Sequence, residues 1–189
     1  MASETGIANR ALQRLGATRI TALDDASTKN GRACNVAYEP LRDALLRAHP
    51  WSFAIARAAL AADSDAPVGD DAPALQYPWP TDALRILLPK DHTLDWIIEG
   101  RKILTNWTAP LYIRYVAKVT DPNTMDPLFR EALSALMAVE MCEEITQSNS
   151  KKDRLRDDFN QVIAEARRTN AIEKPAVGSP DGSWDYERD

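Results

Sequence analysis

A chain of 189 residues, 44% apolar and 27% charged, suits one domain that buries roughly two thirds of its unfolded surface without covalent staples, which sets aside global disorder and a membrane protein. Its net charge of −5, from 28 acidic against 23 basic residues, argues against gripping nucleic acid through the phosphates, since that takes a concentrated Lys/Arg surface. An acidic wall repels a phosphate backbone, so DNA sliding past without sequence-specific binding remains compatible with this balance.

The opening MASETGIANR has neither the basic start nor the apolar core of a secretory signal, and no apolar run approaches the ~20 residues that cross a bilayer. A cytoplasmic protein without a membrane partner is expected. Ile7, Ala8, Ala11, Leu12 and Leu15 space like one helix face, with Ser3 or Thr5 as cap and Gly16 as a left-handed stop. Residues 17–25 read as extended, and Asp24-Asp25-Ala26-Ser27 supplies a cap for a second helix over 28–48. Pro40 falls inside it and predicts a kink, because the apolar face of Ala33, Val36, Ala37 and Leu41 continues across. Residues 54–60 fit a helical turn or a short strand and are counted with the helical part. Residues 61–75, with four Asp, two Pro, a Gly and no basic residue, read as a mobile solvated loop.

The middle third is strand-like. Tyr77-Pro78-Trp79-Pro80 is stiff and extended, 83–88 is an apolar run stopped by Pro89, and 94–98 leads through a turn at Glu99-Gly100 into 102–104. The clearest strand is 111–116, with Leu111, Ile113 and Tyr115 facing one way and Tyr112, Arg114 and Val116 the other. Asp126 as cap and Pro127 at the first helical position fix the start of a third helix through Phe129, Leu133, Leu136, Val139 and Ile145. Ser148-Asn149-Ser150 breaks it, and Leu155, Phe159, Val162, Ile163 and Ala166 define a fourth helix to about residue 171.

The fold class expected is α+β: a four-helix bundle with a small antiparallel sheet of three or four strands inserted between helices two and three. The division is a single domain over 1–171, helical at 1–60 and 121–171 with the β insertion at 76–119, followed by a flexible tail at 172–189. That tail carries five acids against two bases, yet also Trp184 and Tyr186, which read as anchors for a partner.

The chain is organised around LRDALLRAHPWSFA at 41–54. Leu41, Ala44, Leu45 and Ala48 make a helix stripe, then His49-Pro50 stops the helix and delivers Trp51 and Phe53 as an apolar pair, a structural hub. This stretch, with Tyr38 before it, LGATRITALDD at 15–25, YPWPTDALRILL at 77–88 and EGRKILTN at 99–106, resembles the tail tubular protein A family of tailed bacteriophages, the head-to-tail adaptor or gatekeeper proteins. The four pieces keep the same order and together cover most of 1–171. The resemblance implies a structural virion protein with no enzymatic activity and no cofactor. It implies a dodecameric ring of copies of the chain at the head–tail interface, between the portal protein and a tail nozzle of the tail tubular protein B kind, lining the DNA channel and assembled in the host cytoplasm. The tail with Trp184 and Tyr186 is then expected on the portal, and the inserted sheet at the nozzle.

Other chemistry is weaker. Glu140, Glu143 and Glu144 cluster on the third helix and Asp24-Asp25 precede the second, so a virion-associated glycan hydrolase using a carboxylate pair is the alternative. Acids at helix starts are usually caps and acids late on a helix a solvated face, which is the stronger reading. His49 as a general base lacks a nucleophile pattern nearby and more plausibly bonds a free carbonyl or packs beside Trp51. Trp51, Trp79, Trp96 and Trp107 could stack on sugar, but rings of this kind more often complete a core or an interface. Cys34 and Cys142 read as packed thiols, and His49 and His92 stand in no ligand spacing, so no metal is expected.

Overall fold

Local rules set the helices. In the computed structural model, which describes residues 1–69, 72–87 and 95–173, α1 (Glu4–Leu15) starts where Ser3 Oγ accepts from the Gly6 N–H at 3.0 Å. It ends at Gly16, whose φ of 64° lets its N–H and that of Ala17 turn back onto Gln13 and Leu12. α2 (Lys29–Ala48) is capped by Thr28, whose Oγ1 accepts from the Gly31 N–H. The preceding acids do not cap it: the Asp25 carboxylate accepts from Ser27 instead and closes the turn that leads in. α2 runs unbroken through Pro40, and its buried stripe is Ala33, Cys34, Tyr38, Leu45 and Leu46. Val36 and Pro40 face out, so the carbonyl that Pro40 deprives of a donor lies on the wet side of the helix.

α3 (Pro127–Thr146) starts with the Asp126 carboxylate accepting from the N–H groups of Leu128 and Phe129, and ends at Gln147 in the left-handed conformation. α4 (Asn149–Ile172) is capped by Ser148, so the break is only Gln147-Ser148, and Asn149 and Ser150 are already helical. α3 packs against the other three helices and is the centre of the bundle. Its Ala132, Ala135 and Ala138 are fully buried within the chain, where small side chains let the helices approach closely. Arg10 and Arg14 of α1 meet Glu131 of α3, and Arg14 also meets Asp158 of α4. Burial pushes the Glu131 carboxyl up, but hydrogen bonds from the two guanidinium groups outweigh it and hold the group below its usual range.

The β region is larger than one small sheet. Its strands are β1 (Ile55–Leu60), β2 (Leu75–Pro78), β3 (Ala83–Leu87), β4 (Trp96–Glu99), β5 (Lys102–Thr105) and β6 (Leu111–Ala117). They form two three-stranded antiparallel sheets, ordered β1-β6-β3 and β2-β5-β4. The residues after the 3-10 turn at Ser52–Ala54 are thus a strand, not part of the helical segment, because the long partner β6 is there to pair with. The β4–β5 hairpin turns at Gly100-Arg101, both at positive φ, with Glu99 already paired to Lys102. Loop 61–75 is anchored where it is described. The Asp63 carboxylate accepts from Lys102 Nζ at 2.9 Å, an interaction that holds it below its usual range, and Gln76 bonds the Asp65 carbonyl.

β6 explains how the layers join. Leu111, Ile113 and Tyr115 enter a core shared between the sheets with Leu60, Tyr77, Ala83, Ile86 and Ile103. Val116, on the opposite face, enters the helical core with Trp51, Phe129 and Met137. Strand alternation therefore places the first sheet between the helices and the second sheet. The expected tail anchors Trp184 and Tyr186, with His92, lie outside the described residues.

Candidate functional site

Two places concentrate the side chains that the sequence singles out. The first is the hub. His49 leaves α2 extended, and Trp51 drops into the core with its Nε1–H donating to the Leu45 carbonyl at 3.0 Å. The Trp51 ring meets Phe129 edge-on at 5.2 Å and His49 at 4.7 Å, while Phe53 packs on Phe129 at 5.1 Å. Asn170, in the last turn of α4, completes the cluster: Oδ1 accepts from the Ser52 N–H at 2.8 Å, and Nδ2 lies 2.9 Å from His49 Nε2 and 3.5 Å from the Pro50 carbonyl. One amide thus ties α4 to the link between α2 and β1. Sequence reasoning missed Asn170, because α4 also carries the exposed amides Asn160 and Gln161 and nothing local sets the buried one apart.

The second place is a cleft of about 480 Å³ at the end of the first sheet that extends beyond the helices. It is lined by Arg57, Ala58 and Ala59 of β1, by Tyr112, Ile113 and Arg114 of β6, and by Leu87, Trp96 and Trp107. Register makes the opening: Ala59 stands opposite Tyr112, so a methyl faces a large ring and leaves room above it. Trp107 is held in place twice, its N–H on Thr105 Oγ1 and its carbonyl accepting from the Tyr77 hydroxyl at 2.6 Å. Arg57 stands directly opposite Arg114, and like charges so paired repel. Among the described residues neither has an acidic partner, and no acid lines the cleft.

The four tryptophans among the described residues therefore divide. Trp51 is core, Trp79 receives the Arg101 guanidinium over its face at 5.1 Å, and Trp96 and Trp107 belong to the cleft. The acids do not come together. Glu140, Glu143 and Glu144 sit exposed along one stretch of α3, with Glu143 paired to Lys152 at 3.0 Å, and Asp24-Asp25 belong to the turn before α2. Among the described residues no group of His, Cys, Asp and Glu could hold a metal, and no helix is long and apolar enough to cross a membrane. Cys34 and Cys142 are free and buried.

No protein-family model matches the chain, and no curated protein matches it either. The resemblance thus rests on its four segments. In the fold these are the end of α1 and the turn before α2, the hub, the run from β2 to β3, and the β4–β5 hairpin.

Proposed function

We propose that the chain is a structural virion protein, a head-to-tail adaptor that forms a dodecameric ring between the portal and the tail nozzle and lines the DNA channel. The observation that supports this reading is that apolar side chains stay exposed on both the helical and the β side of the chain. On the helical side Val36 of α2 is 75% exposed; on the β side Tyr112 is 77%, Trp107 50% and Ile97 46% exposed. A closed ring is built from heterologous contacts, in which one face of each copy meets a different face of the next. Apolar side chains left exposed on both the helical and the β side are compatible with that requirement. In this proposal the helices pack within and between subunits, the β region faces the nozzle, and the tail with Trp184 and Tyr186 docks on the portal. The channel wall binds no particular DNA sequence, in keeping with the net charge of −5.

Native mass spectrometry of the purified chain, alone and mixed with the portal protein of the same genome, tests the reading. The expected result is a monomer alone and a ring added to the portal. A chain that stays monomeric beside the portal overturns it. Unchanged portal docking by a Trp184→Ala, Tyr186→Ala double variant would remove the tail assignment while leaving the ring.

A further inference from the structure

Two like-charged pairs stand at different ends of the chain. On the first sheet Arg57 of β1 lies directly opposite Arg114 of β6, and strand alternation puts Ala59, Tyr112 and Val116 on the same face. The helices cover that face at Val116, which is fully buried, and leave it open at Tyr112, which is 77% exposed. Like charges so opposed destabilise a sheet, and neither arginine has an acidic partner among the described residues. On α3, Glu140 and Glu144 are one turn apart and both exposed. Neither carboxylate is in an ion pair among the described residues: Lys152 goes to Glu143, and Lys29 donates to the Glu144 backbone carbonyl. Like charges four apart on a helix also repel.

The two pairs match in sign and spacing. Side chains directly opposed across strands stand about 5 Å apart at Cβ, and those four apart on a helix about 5–6 Å apart. Each guanidinium fork therefore meets one carboxylate, with two parallel N–H···O bonds available to it.

Within one chain they do not meet. Lys29, in the first turn of α2, marks the level of Glu144, while Asp43, fourteen residues on and about 21 Å along the axis, meets Lys118 just past the end of β6. Arg47, a turn later, donates to the carbonyl of Leu84, which stands in β3 beside Val116 and Ala117. From Lys118 back to Arg114, β6 thus runs in the direction that leaves Glu144 further behind. We propose that Arg57 and Arg114 of one copy take Glu140 and Glu144 of a second copy, with the Tyr112 ring laid against the same end of its α3. The contact joins unlike faces, so it is heterologous, and a rotation that closes makes it a ring. It rests on the adaptor reading and deepens it by naming a contact between neighbours, while the second sheet stays free for the nozzle.

The test is native mass spectrometry of the full chain on the portal protein of the same genome, with charges reversed and circular dichroism confirming that each variant keeps the wild-type fold. Arg57→Glu with Arg114→Glu, and separately Glu140→Lys with Glu144→Lys, should each lose the ring, because like charges then face one another at every junction. An equimolar mixture of the two double variants should regain it, with the variants alternating in equal numbers, since every junction is again opposite in charge. A ring formed by either double variant alone, or none from the mixture, overturns the contact and leaves the adaptor reading standing. A wild-type chain that adds no ring to the portal overturns that reading, and the contact with it.

Discussion

Asn170→Ala is the most informative single substitution for the fold, because one side chain of α4 bonds both Ser52 and His49. Truncation removes the acceptor of the Ser52 N–H at 2.8 Å and the Nδ2 contact with His49 Nε2 at 2.9 Å; the 3.5 Å approach to the Pro50 carbonyl is too long to count. Asn170 is itself buried, but Ser52 is exposed, so water recovers part of the first loss. About 1 kcal/mol for each bond, less about 0.5 kcal/mol returned by the better helix propensity of alanine, leaves a net cost of about 1.5 kcal/mol. For a chain of this length that lowers Tm by about 3–6 °C. The assay is urea unfolding followed by circular dichroism, with Asn160→Ala, on the exposed face of the same helix, as reference. If Asn170→Ala is as stable as Asn160→Ala, the amide does not hold α4 to the hub and the account of the junction is wrong.

Two further outcomes follow from the geometry. Gly31→Ala should destabilise by about 2 kcal/mol even though alanine is the better helix former, because its Cβ would lie 1.8 Å from the Asp25 carbonyl oxygen, a backbone atom that cannot swing aside; chemical denaturation reads this, and an unchanged midpoint contradicts it. Stability should also fall with rising pH from about 9, since burial pushes the Cys34 thiol from 9.0 up to about 11 and the Tyr38 hydroxyl from 10.0 up to about 12. Both groups favour the protonated form in the folded state, so their contribution is complete below the ordinary values and is lost as pH climbs through the raised ones. Cys34→Ala should flatten the first part of that decline in a pH series of unfolding midpoints, and an identical slope in the variant removes Cys34 as its source.

The elements legible in the sequence are those whose signals are local. Ser3 and Gly16, Asp126 and Pro127 fix helix ends through their own backbone bonds, and each stands where the pattern puts it. The errors arise where a residue's role depends on a distant partner. Residues 55–60 are a strand only because β6 lies beside them, and the run IARAAL carries no strong preference of its own. Val36 and Val116 illustrate the same limit in opposite directions. Val36 belongs to an apparently continuous apolar stripe yet faces out, while Val116 sits on the face of β6 opposite to Tyr115 and is nonetheless buried, because a second core lies on that side. A period identifies two faces; it does not say how many of them are covered.

The same reasoning explains why the hub was legible and the cleft was not. HPWSF announces itself by forcing the chain to turn while carrying two large rings, and such rings at a turn must be buried or exposed as a pair. The cleft is assembled from β1, β3, β4, β5, β6 and Trp107, so its parts are spread across more than fifty positions and no window of sequence contains them. Its two arginines, opposed on neighbouring strands, become a pair only once β1 and β6 are in register.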